Sequence, residues 1–269
     1  MRRSQELRGP LWKLTLSQLT AAQQGRTRAS KRTLAQPALG LQSNKRRCIY
    51  REYHELIPYQ QAWLWQKDLV AERCSGHEPA EDALLLLQHP PVYTLGAGST
   101  TDHLRFDPAS PPHPLHRTER GGEVTYHGPG QLVLYPIMNL KMHMQDLHWY
   151  LRSLEEVVIR ALENVSGLKG ERIKGCTGVW VNNEKVAAVG VRAQKWVTYH
   201  GVAVNVTTDL QPFQNIVPCG ISGRGVTSVK QLAVHEGASD EELMHEYQFG
   251  LLDAFAEVFN VELVHCIHL

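Results

Sequence analysis

The stretch that decides the fold is GVWVNNEKVAAVGVRA, residues 178–193. Two valine-rich runs flank Asn182 and Asn183, and β-branched residues favour strands. Asparagine tolerates the left-handed backbone conformation that a two-residue hairpin turn requires. The stretch therefore predicts a β-hairpin, which places two antiparallel strands side by side in a sheet.

Helix signals lie on both sides of this hairpin. Residues 57–76 predict a first helix, with apolar side chains at Trp63 and Leu64 among its interior positions. Residues 146–167 predict an amphipathic helix, because apolar residues recur every three or four positions between an aspartate N-cap and a glycine stop. A capping box that begins at Ser239 starts a last helix.

The other elements are strand-like. Residues 83–96 form a short apolar run that two prolines interrupt, which favours a buried strand. Residues 123–140 predict a strand, a tight turn and a second strand, and residues 196–210 predict one more strand. Strands outnumber helices and mostly follow one another. The sequence therefore predicts a single α+β domain with a mixed or antiparallel sheet and flanking helices.

The charge distribution separates the first part of the chain from the rest. Residues 1–47 contain eleven Lys and Arg side chains and one acid, Glu6, whereas the other 222 residues carry a net charge of −9. An acid-poor leader with arginine and serine is typical of an organellar transit peptide. A basic arm that touches nucleic acid is the alternative, but residues 48–269 show no continuing basic surface. We expect residues 1–47 to be a disordered transit peptide and residues 48–269 to be the folded domain.

Composition also excludes several classes of protein. No apolar run approaches the length of about 18 residues that a membrane span needs, so a soluble protein is expected. The five cysteines are odd in number and widely spaced, and none forms a C-x-x-C pair. This pattern argues against a disulfide framework and a structural zinc site. We expect no functional metal.

Two side chains are candidates for covalent chemistry. Cys219 lies in the turn-like sequence IVPCGI, residues 216–221, and four roles are open to it: small buried hydrophobe, half of a disulfide, metal ligand or nucleophile. Lys185 begins the second strand of the hairpin, and two-residue alternation puts it on the face of Ala187 and Val189. Its position favours an exposed strand end; the alternative is an ammonium that reaches into a cavity and stabilises a thiolate.

The segment RGGEVTYHGPGQ, residues 120–131, is the third candidate. Its glycines could leave backbone amides pointing into a cavity, or they could only make tight turns at strand ends. It contains no G-x-G-x-x-G that opens a helix, so a dinucleotide-binding fingerprint is excluded.

Taken together, five ordered blocks resemble the lipoyl(octanoyl) transferases, the octanoyl-[acyl carrier protein]:protein N-octanoyltransferases. The blocks are QHPPVYTLG, RGGEVTYHGPGQLVLYP, GVWVNNEKVAAVGVR, YHGVAVNV and IVPCGI. The resemblance implies a fold related to the biotin and lipoate protein ligases. It also implies that the domain of residues 48–269 transfers an octanoyl group from acyl carrier protein, through a cysteine thioester, to a lysine of a lipoyl domain.

The resemblance carries the family's site onto particular residues. The acyl-thioester cysteine falls on Cys219 and the lysine that lowers its pKa falls on Lys185. One departure is Glu123, where many bacterial members have glutamine. The implied acyl-binding residues are Arg120, Gly121, Gly122, Glu123, Val124, Thr125, Tyr126, His127, Ala188, Val189, Gly190, Gly201, Val202 and Ala203.

The implied partners are octanoyl-acyl carrier protein and the lipoyl domains of 2-oxoacid dehydrogenase complexes and of the glycine cleavage H protein. No cofactor, nucleic acid or membrane is implied, and a monomer is expected. The sequence is most similar to plastid-type members from plants and algae, with the mitochondrion as the alternative location. Two other functions compete: an ATP-dependent lipoate or biotin ligase on the same fold, and a non-catalytic module that binds acyl carrier protein.

Overall fold

The computed structural model describes residues 45–75, 81–217, 224–232 and 239–266. Cys219 and residues 1–44 of the predicted transit peptide lie outside these ranges. The helices are α1 (Tyr59–Cys74), α2 (Leu147–Ser166), α3 (Val229–Leu232) and α4 (Asp240–Val258). The strands are β1 (Arg46–Leu56), β2 (Asp82–Gln88), β3 (Val92–Leu95), β4 (Leu115–Arg117), β5 (Thr125–His127), β6 (Gln131–Ile137), β7 (Glu171–Ile173), β8 (Cys176–Val181), β9 (Glu184–Gln194), β10 (Val197–Asn205) and β11 (Val261–His265).

Within the described residues the strands form two sheets. The main sheet has eight strands in the order β11-β1-β2-β6-β10-β9-β8-β7, and the small sheet has the order β4-β3-β5. In the main sheet β1 pairs in parallel with β11 and β2, and the remaining neighbours are antiparallel. The predicted α+β domain with a mixed sheet is confirmed.

Helices cover both faces of the main sheet. Leu84 and Leu86 of β2 join the core under α2 and α4, whereas Leu85 and Leu87 join a second core under α1. Successive side chains of a strand point to opposite faces, so a strand between two helical layers is apolar at every position. This explains the uninterrupted run of four leucines.

Local sequence signals are realised as predicted. The hairpin between β8 and β9 turns through Asn182 (φ 51°) and Asn183 (φ 68°). Asp146 caps α2 by accepting hydrogen bonds from two backbone amides, and Gly167 ends the helix in the left-handed region at φ 63°. Helix α4 has both hydrogen bonds of the capping box that begins at Ser239.

Two strand predictions need correction. The apolar run 83–96 is two strands rather than one, because the prolines after His89 separate β2 in the main sheet from β3 in the small sheet. The strands predicted within 123–140 do not pair with each other: β5 pairs with β3, and β6 pairs with β2 and β10. Both chain segments cross from one sheet to the other, and a cavity lies between the sheets.

Strand β1 was not predicted from the sequence. Its eleven residues, RRCIYREYHEL, include six charged or histidine side chains, so no clean alternation marks it. It begins at Arg46, two residues before the expected start of the folded domain at residue 48.

Helix α1 buries a different face from the one that its apolar residues suggest. Leu64 is 53% exposed, whereas Tyr59, Ala62, Gln66 and Val70 are buried. Gln66 is tolerated in the core because its Oε1 accepts a hydrogen bond from the His200 amide at 2.7 Å. None of the helices in the described ranges combines the length and apolar character that crossing a bilayer requires.

Candidate active site

A cavity of about 210 Å³ lies between the main sheet and the small sheet. Strands β6, β9 and β10 form its floor, the segment after β4 forms one wall, and the start of α1 closes it. The lining residues are Tyr59, Arg120, Gly122, Glu123, Val124, Thr125, His127, Gln131, Val133, Tyr135, Gly175, Cys176, Thr177, Lys185, Ala188, Val189, Gly190, His200, Gly201, Val202, Ala203, Asn205, Phe213 and Val226.

The structure brings most of the residues implied by the resemblance to this cavity. Lys185 and twelve of the fourteen implied acyl-binding residues line it. Gly121 does not, and its amide instead donates to the Val191 carbonyl at 3.0 Å. Tyr126 does not either, because its ring packs edge-on against Phe213 in a separate apolar cluster. Cys219 lies outside the described residues.

Lys185 is buried, with 5% of its surface exposed, so the expectation of an exposed strand end is wrong. Its Nζ donates to the Thr177 carbonyl at 2.9 Å and lies 4.7 Å from the centre of the Trp180 ring. A β-bulge shifts the register between β8 and β9 at this point. Because of the bulge, Lys185 points into the cavity while Ala187 packs in the main core. The prediction that Lys185 and Ala187 lie on the same face of β9 is therefore also wrong.

The backbone of Lys185 is bonded to the chain that follows Cys219. The Lys185 amide donates to the Gly225 carbonyl at 3.0 Å, and the Thr227 amide donates to the Lys185 carbonyl at 3.0 Å. On the other side of Cys219, the Val217 amide donates to the His103 carbonyl at 2.8 Å. The downstream flank of the cysteine segment is therefore attached to a residue that lines the cavity, and the upstream flank is attached to His103.

The side chain of Glu123, uncertain from the sequence, has a partner in the structure. Its Oε2 lies 3.0 Å from Nδ1 of His103, whose carbonyl anchors Val217. A glutamine at this position could accept the same hydrogen bond but could not form an ion pair with a protonated histidine. The carboxylate thus ties the glycine-rich wall to the loop next to the cysteine segment.

Arg120 ties that wall to β3 of the small sheet. Its Nη2 donates to both the carbonyl and the hydroxyl of Thr94 at 2.8 Å, and its Nη1 donates to the Gly121 carbonyl at 3.0 Å. The wall approaches β9 so closely that a Cβ on Gly190 would lie 2.8 Å from the Gly121 oxygen. Glycine at this position lets the two backbones meet.

Besides the predicted His127, four histidines and tyrosines around the cavity were not predicted: Tyr59, His89, Tyr135 and His200. His89 donates through Nδ1 to the Ile57 carbonyl at 2.6 Å and accepts at Nε2 from the Tyr135 hydroxyl at 2.8 Å. His200, at φ 57°, is buried, and neither of its ring nitrogens has a hydrogen-bond partner among the described residues. No local signal marks these four residues, because they come from α1, β6 and β10 and from the turn after β2 and meet only in the folded chain.

Burial keeps these imidazoles neutral. It lowers the pKa of His89 from 6.5 to about 4. Burial, reinforced by the positive charges of Arg120 and Lys67, lowers the pKa of His200 to about 3. The pKa of His127 is also well below 6.5, first because of burial and then because of its neighbour His89. At neutral pH the histidines therefore offer hydrogen bonds but no charge.

These pKa shifts predict a loss of stability in acid. Below pH 6.5 the unfolded chain binds protons at the three histidines while the folded chain does not, so the free energy of unfolding falls as the pH falls. Each histidine contributes up to about 1.4 kcal/mol per pH unit, down to its folded pKa. Urea denaturation between pH 7 and pH 4.5 measures the slope.

A matched pair of variants assigns that slope. His200→Gln should flatten it, whereas His54→Gln, at an exposed position of β1, should leave it unchanged. Equal slopes for both variants and the unmodified chain would contradict the assignment to His200.

The side chains that line the cavity determine what it can bind. Among the described residues, no three His, Cys, Asp or Glu side chains lie close enough to hold a metal ion. The cavity instead offers one buried ammonium, neutral imidazoles, and an apolar strip from Val124, Val133, Ala188 and Ala203. Such a site can bind an alkyl chain and stabilise an adjacent anion.

A family model, the lipoyl protein ligase A/B catalytic domain, matches residues 58–247. Among curated proteins, octanoyltransferase LIP2p2, chloroplastic, from Arabidopsis thaliana is 51% identical over 230 residues, which are 82% of each chain. The octanoyltransferase of Nostoc punctiforme is 51% identical over 78% of this chain and 87% of its own.

Solved structures share the fold at low sequence identity. Lipoate-protein ligase A bound with ATP superposes with a TM-score of 0.64 at 17% identity, over 82% of this chain and 88% of its own. The bipartite lipoate protein ligase of Thermoplasma acidophilum gives a TM-score of 0.60 at 15% identity, over 82% and 86% of the two chains. The expected lipoate ligase-like architecture is therefore confirmed.

Proposed function

The chain belongs to the lipoyl protein ligase A/B catalytic domain family and is an octanoyltransferase, and from this premise we propose that it works through a thioester on Cys219. Lys185 is its electrostatic and proton-transfer partner, and the cavity between the sheets holds the acyl chain. The observation that carries the proposal is the buried Lys185 ammonium at the cavity, with its backbone bonded to the segment that follows Cys219.

The reaction balances without an added cofactor. The Cys219 thiolate attacks the donor thioester, a new C–S bond forms, and the bond to the carrier thiol breaks. The Lys185 ammonium gives its proton to the departing thiolate. The acceptor amine then attacks the acyl-cysteine, its proton passes to the neutral Lys185 amine, and the Cys219 thiolate leaves. An incoming thioester already carries the activation, so ATP has no part in the cycle.

The apolar strip suits a medium-length acyl chain. From Lys185 to Gly190, β9 rises about 17 Å. The seven C–C bonds of an extended octanoyl group span at most about 10 Å, so the floor is long enough to contact the whole acyl chain. Each buried methylene contributes about 0.8 kcal/mol, so contact with the strip discriminates between chain lengths.

A single substitution on the floor should change that selectivity. Ala203 lines the cavity, and Ala203→Leu fills the space of about two substrate methylenes. We expect octanoyl transfer to fall roughly 15-fold relative to hexanoyl transfer. Competition between the two thioesters, measured by mass spectrometry of the product, gives the ratio.

The neighbouring residue provides the control. Val204 points to the opposite face of β10, into the core under α2, and does not line the cavity. Val204→Leu should keep the ratio of the unmodified enzyme. An unchanged ratio in Ala203→Leu would remove this strip from acyl recognition.

The proposed donor is octanoyl-acyl carrier protein, and the proposed acceptors are lipoyl domains of 2-oxoacid dehydrogenases and the glycine cleavage H protein. Support comes from the curated octanoyltransferases, which match this chain over about four fifths of its length. An ATP-dependent ligase is not favoured, because likeness to the solved ligases extends to the fold alone.

One experiment tests the proposal. The enzyme is incubated with octanoyl-acyl carrier protein in the absence of ATP and its intact mass is measured. We expect one octanoyl adduct, which hydroxylamine removes and which disappears when a lipoyl domain is added. Adduct formation from free octanoate and ATP alone, with pyrophosphate release, would support a ligase and overturn the proposal.

The proposed location is the plastid, and the segment before β1, residues 1–45, is proposed as the transit peptide. The net charge of +8 in this segment supports import, and the chloroplastic relative from Arabidopsis thaliana supports the plastid over the mitochondrion. Import of the first 50 residues fused to a fluorescent reporter decides between the two organelles. A mitochondrial signal would overturn the plastid assignment.

A further inference from the structure

A fully buried carboxylate lies behind the cavity, on the far side of the main sheet. Glu155, in the middle of α2, has no exposed side-chain surface. Its Oε2 accepts from Arg152 Nη1 at 2.6 Å and from Arg172 Nε at 3.2 Å. Its Oε1 accepts from the backbone amide of Gly178 at 3.0 Å. The two guanidinium groups already pair with the buried carboxylate. The further hydrogen bond to the backbone of β8 therefore points to a second role for Glu155.

The same peptide unit contacts Lys185 on its other side. The Gly178 N–H and the Thr177 C=O belong to one planar trans peptide group, and they point in opposite directions. Glu155 accepts from the N–H, and the Lys185 Nζ donates to the C=O at 2.9 Å. A carboxylate, one peptide dipole and an ammonium therefore form a continuous chain of hydrogen bonds, in which each bond polarises the next.

Strand β8 is distorted in the way that this chain requires. Gly178 has φ +126°, a conformation that side-chain-bearing residues rarely adopt. A Cβ there would lie 2.6 Å from the Ala187 oxygen and 3.3 Å from the Lys185 Nζ. The register shift between β8 and β9 begins at the next residue, Val179. The Thr177–Gly178 peptide therefore lies outside the regular hydrogen-bond ladder between β8 and β9, with Glu155 on one side of it and Lys185 on the other.

We propose that Glu155 is a positioning residue for Lys185: it fixes the Thr177–Gly178 peptide plane, and the carbonyl of that plane holds the ammonium at the cavity. Glu155 does not touch substrate. The inference rests on the proposed role of Lys185 beside Cys219. Other charges face the two ends of the chain: Arg152 and Arg172 at the carboxylate, and Arg224, whose guanidinium lies 5.5 Å from the Trp180 ring, at the lysine.

The test follows alkylation of Cys219 by iodoacetamide as a function of pH, with the modified peptide resolved by mass spectrometry. Glu155→Gln removes the negative charge that polarises the peptide, and Glu155→Asp keeps the charge but shortens the reach to the Gly178 amide. In both variants we expect the alkylation midpoint to move to higher pH and kcat for octanoyl transfer to fall about tenfold. KM for the octanoyl donor should change less than twofold.

Glu156→Gln is the matched control. Glu156 is the next residue of α2 and pairs with Arg160 of the same helix and Arg172 of β7, at 3.1 and 2.7 Å, and neither partner belongs to β8. It should leave the midpoint and kcat unchanged. Equal midpoints in folded Glu155→Asp, Glu156→Gln and the unmodified enzyme would overturn the inference, whatever the effect of Glu155→Gln on stability.

A double substitution separates this inference from the proposed function. In a Lys185→Ala background, Glu155→Gln should cause no further shift of the midpoint, because the residue that it positions is gone. An additional shift would mean that Glu155 acts by another route. If Lys185→Ala by itself leaves the midpoint unmoved, the role of Lys185 fails and the inference fails with it. A shift in Lys185→Ala without one in either Glu155 variant leaves the proposed function standing and rejects only the positioning role.

Discussion

Replacing Cys219 by alanine abolishes both the octanoyl adduct and transfer to the lipoyl domain, with a loss in kcat/KM of about 10⁴-fold or more. The reason is that alanine removes the atom that carries the acyl group, and removal of a covalent nucleophile leaves only the catalysis supplied by binding and dipoles. Intact mass after incubation with octanoyl-acyl carrier protein measures the adduct, and octanoylation of a lipoyl domain measures the transfer.

A second cysteine makes this prediction specific. Cys176 also lines the cavity, and its neighbour Thr177 accepts the hydrogen bond from Lys185. Cys176→Ala should keep a stoichiometric adduct and most of the activity. An adduct that survives in Cys219→Ala but vanishes in Cys176→Ala would transfer the nucleophile to position 176 and refute the assignment of Cys219.

Replacing Lys185 by alanine should have the second-largest effect. Loss of a nearby ammonium makes the Cys219 thiolate less favourable, so the pH midpoint of its alkylation rises by about one unit or more. Loss of the proton acceptor for the attacking amine lowers kcat/KM by a further factor of about 10²–10⁴. The two effects are read from iodoacetamide kinetics and from steady-state transfer.

Lys185→Arg separates the two roles of the lysine. A guanidinium keeps the positive charge, so the alkylation midpoint should remain low, but it does not give up a proton near neutral pH and transfer should remain slow. Lys195→Ala, at the exposed turn that follows β9, is the control and should alter neither measurement. An unmoved alkylation profile in Lys185→Ala would remove Lys185 from its proposed role.

Local signals in the sequence were sufficient for several elements. The turn at Asn182 and Asn183, the cap at Asp146 and the capping box at Ser239 depend on backbone geometry within a few residues, and each forms as predicted. The basic composition of residues 1–47 and the five ordered motifs are likewise visible in the sequence without knowledge of the fold.

Features that depend on distant neighbours were missed or misassigned. Strand β1 lacks a clean alternation, because it lies between β11 and β2 and its side chains meet several different environments. The apolar run 83–96 predicts one strand, whereas in the folded protein its two halves lie in two different sheets. The sequence position of Lys185 at a strand end predicts exposure, but the segment 225–227 and the bulge in β8 and β9 bury it.

The fold class, the local turns and caps, and the family follow from the amino-acid sequence alone, because they depend on short-range backbone preferences and on ordered motifs. The packing of sheets and helices establishes which side chains share the cavity, that His200 stays neutral there, and that Glu155 reaches Lys185 through one peptide unit. Burial and hydrogen bonding between residues far apart in the chain depend on how the sheets and helices pack, and no short stretch of sequence contains that information.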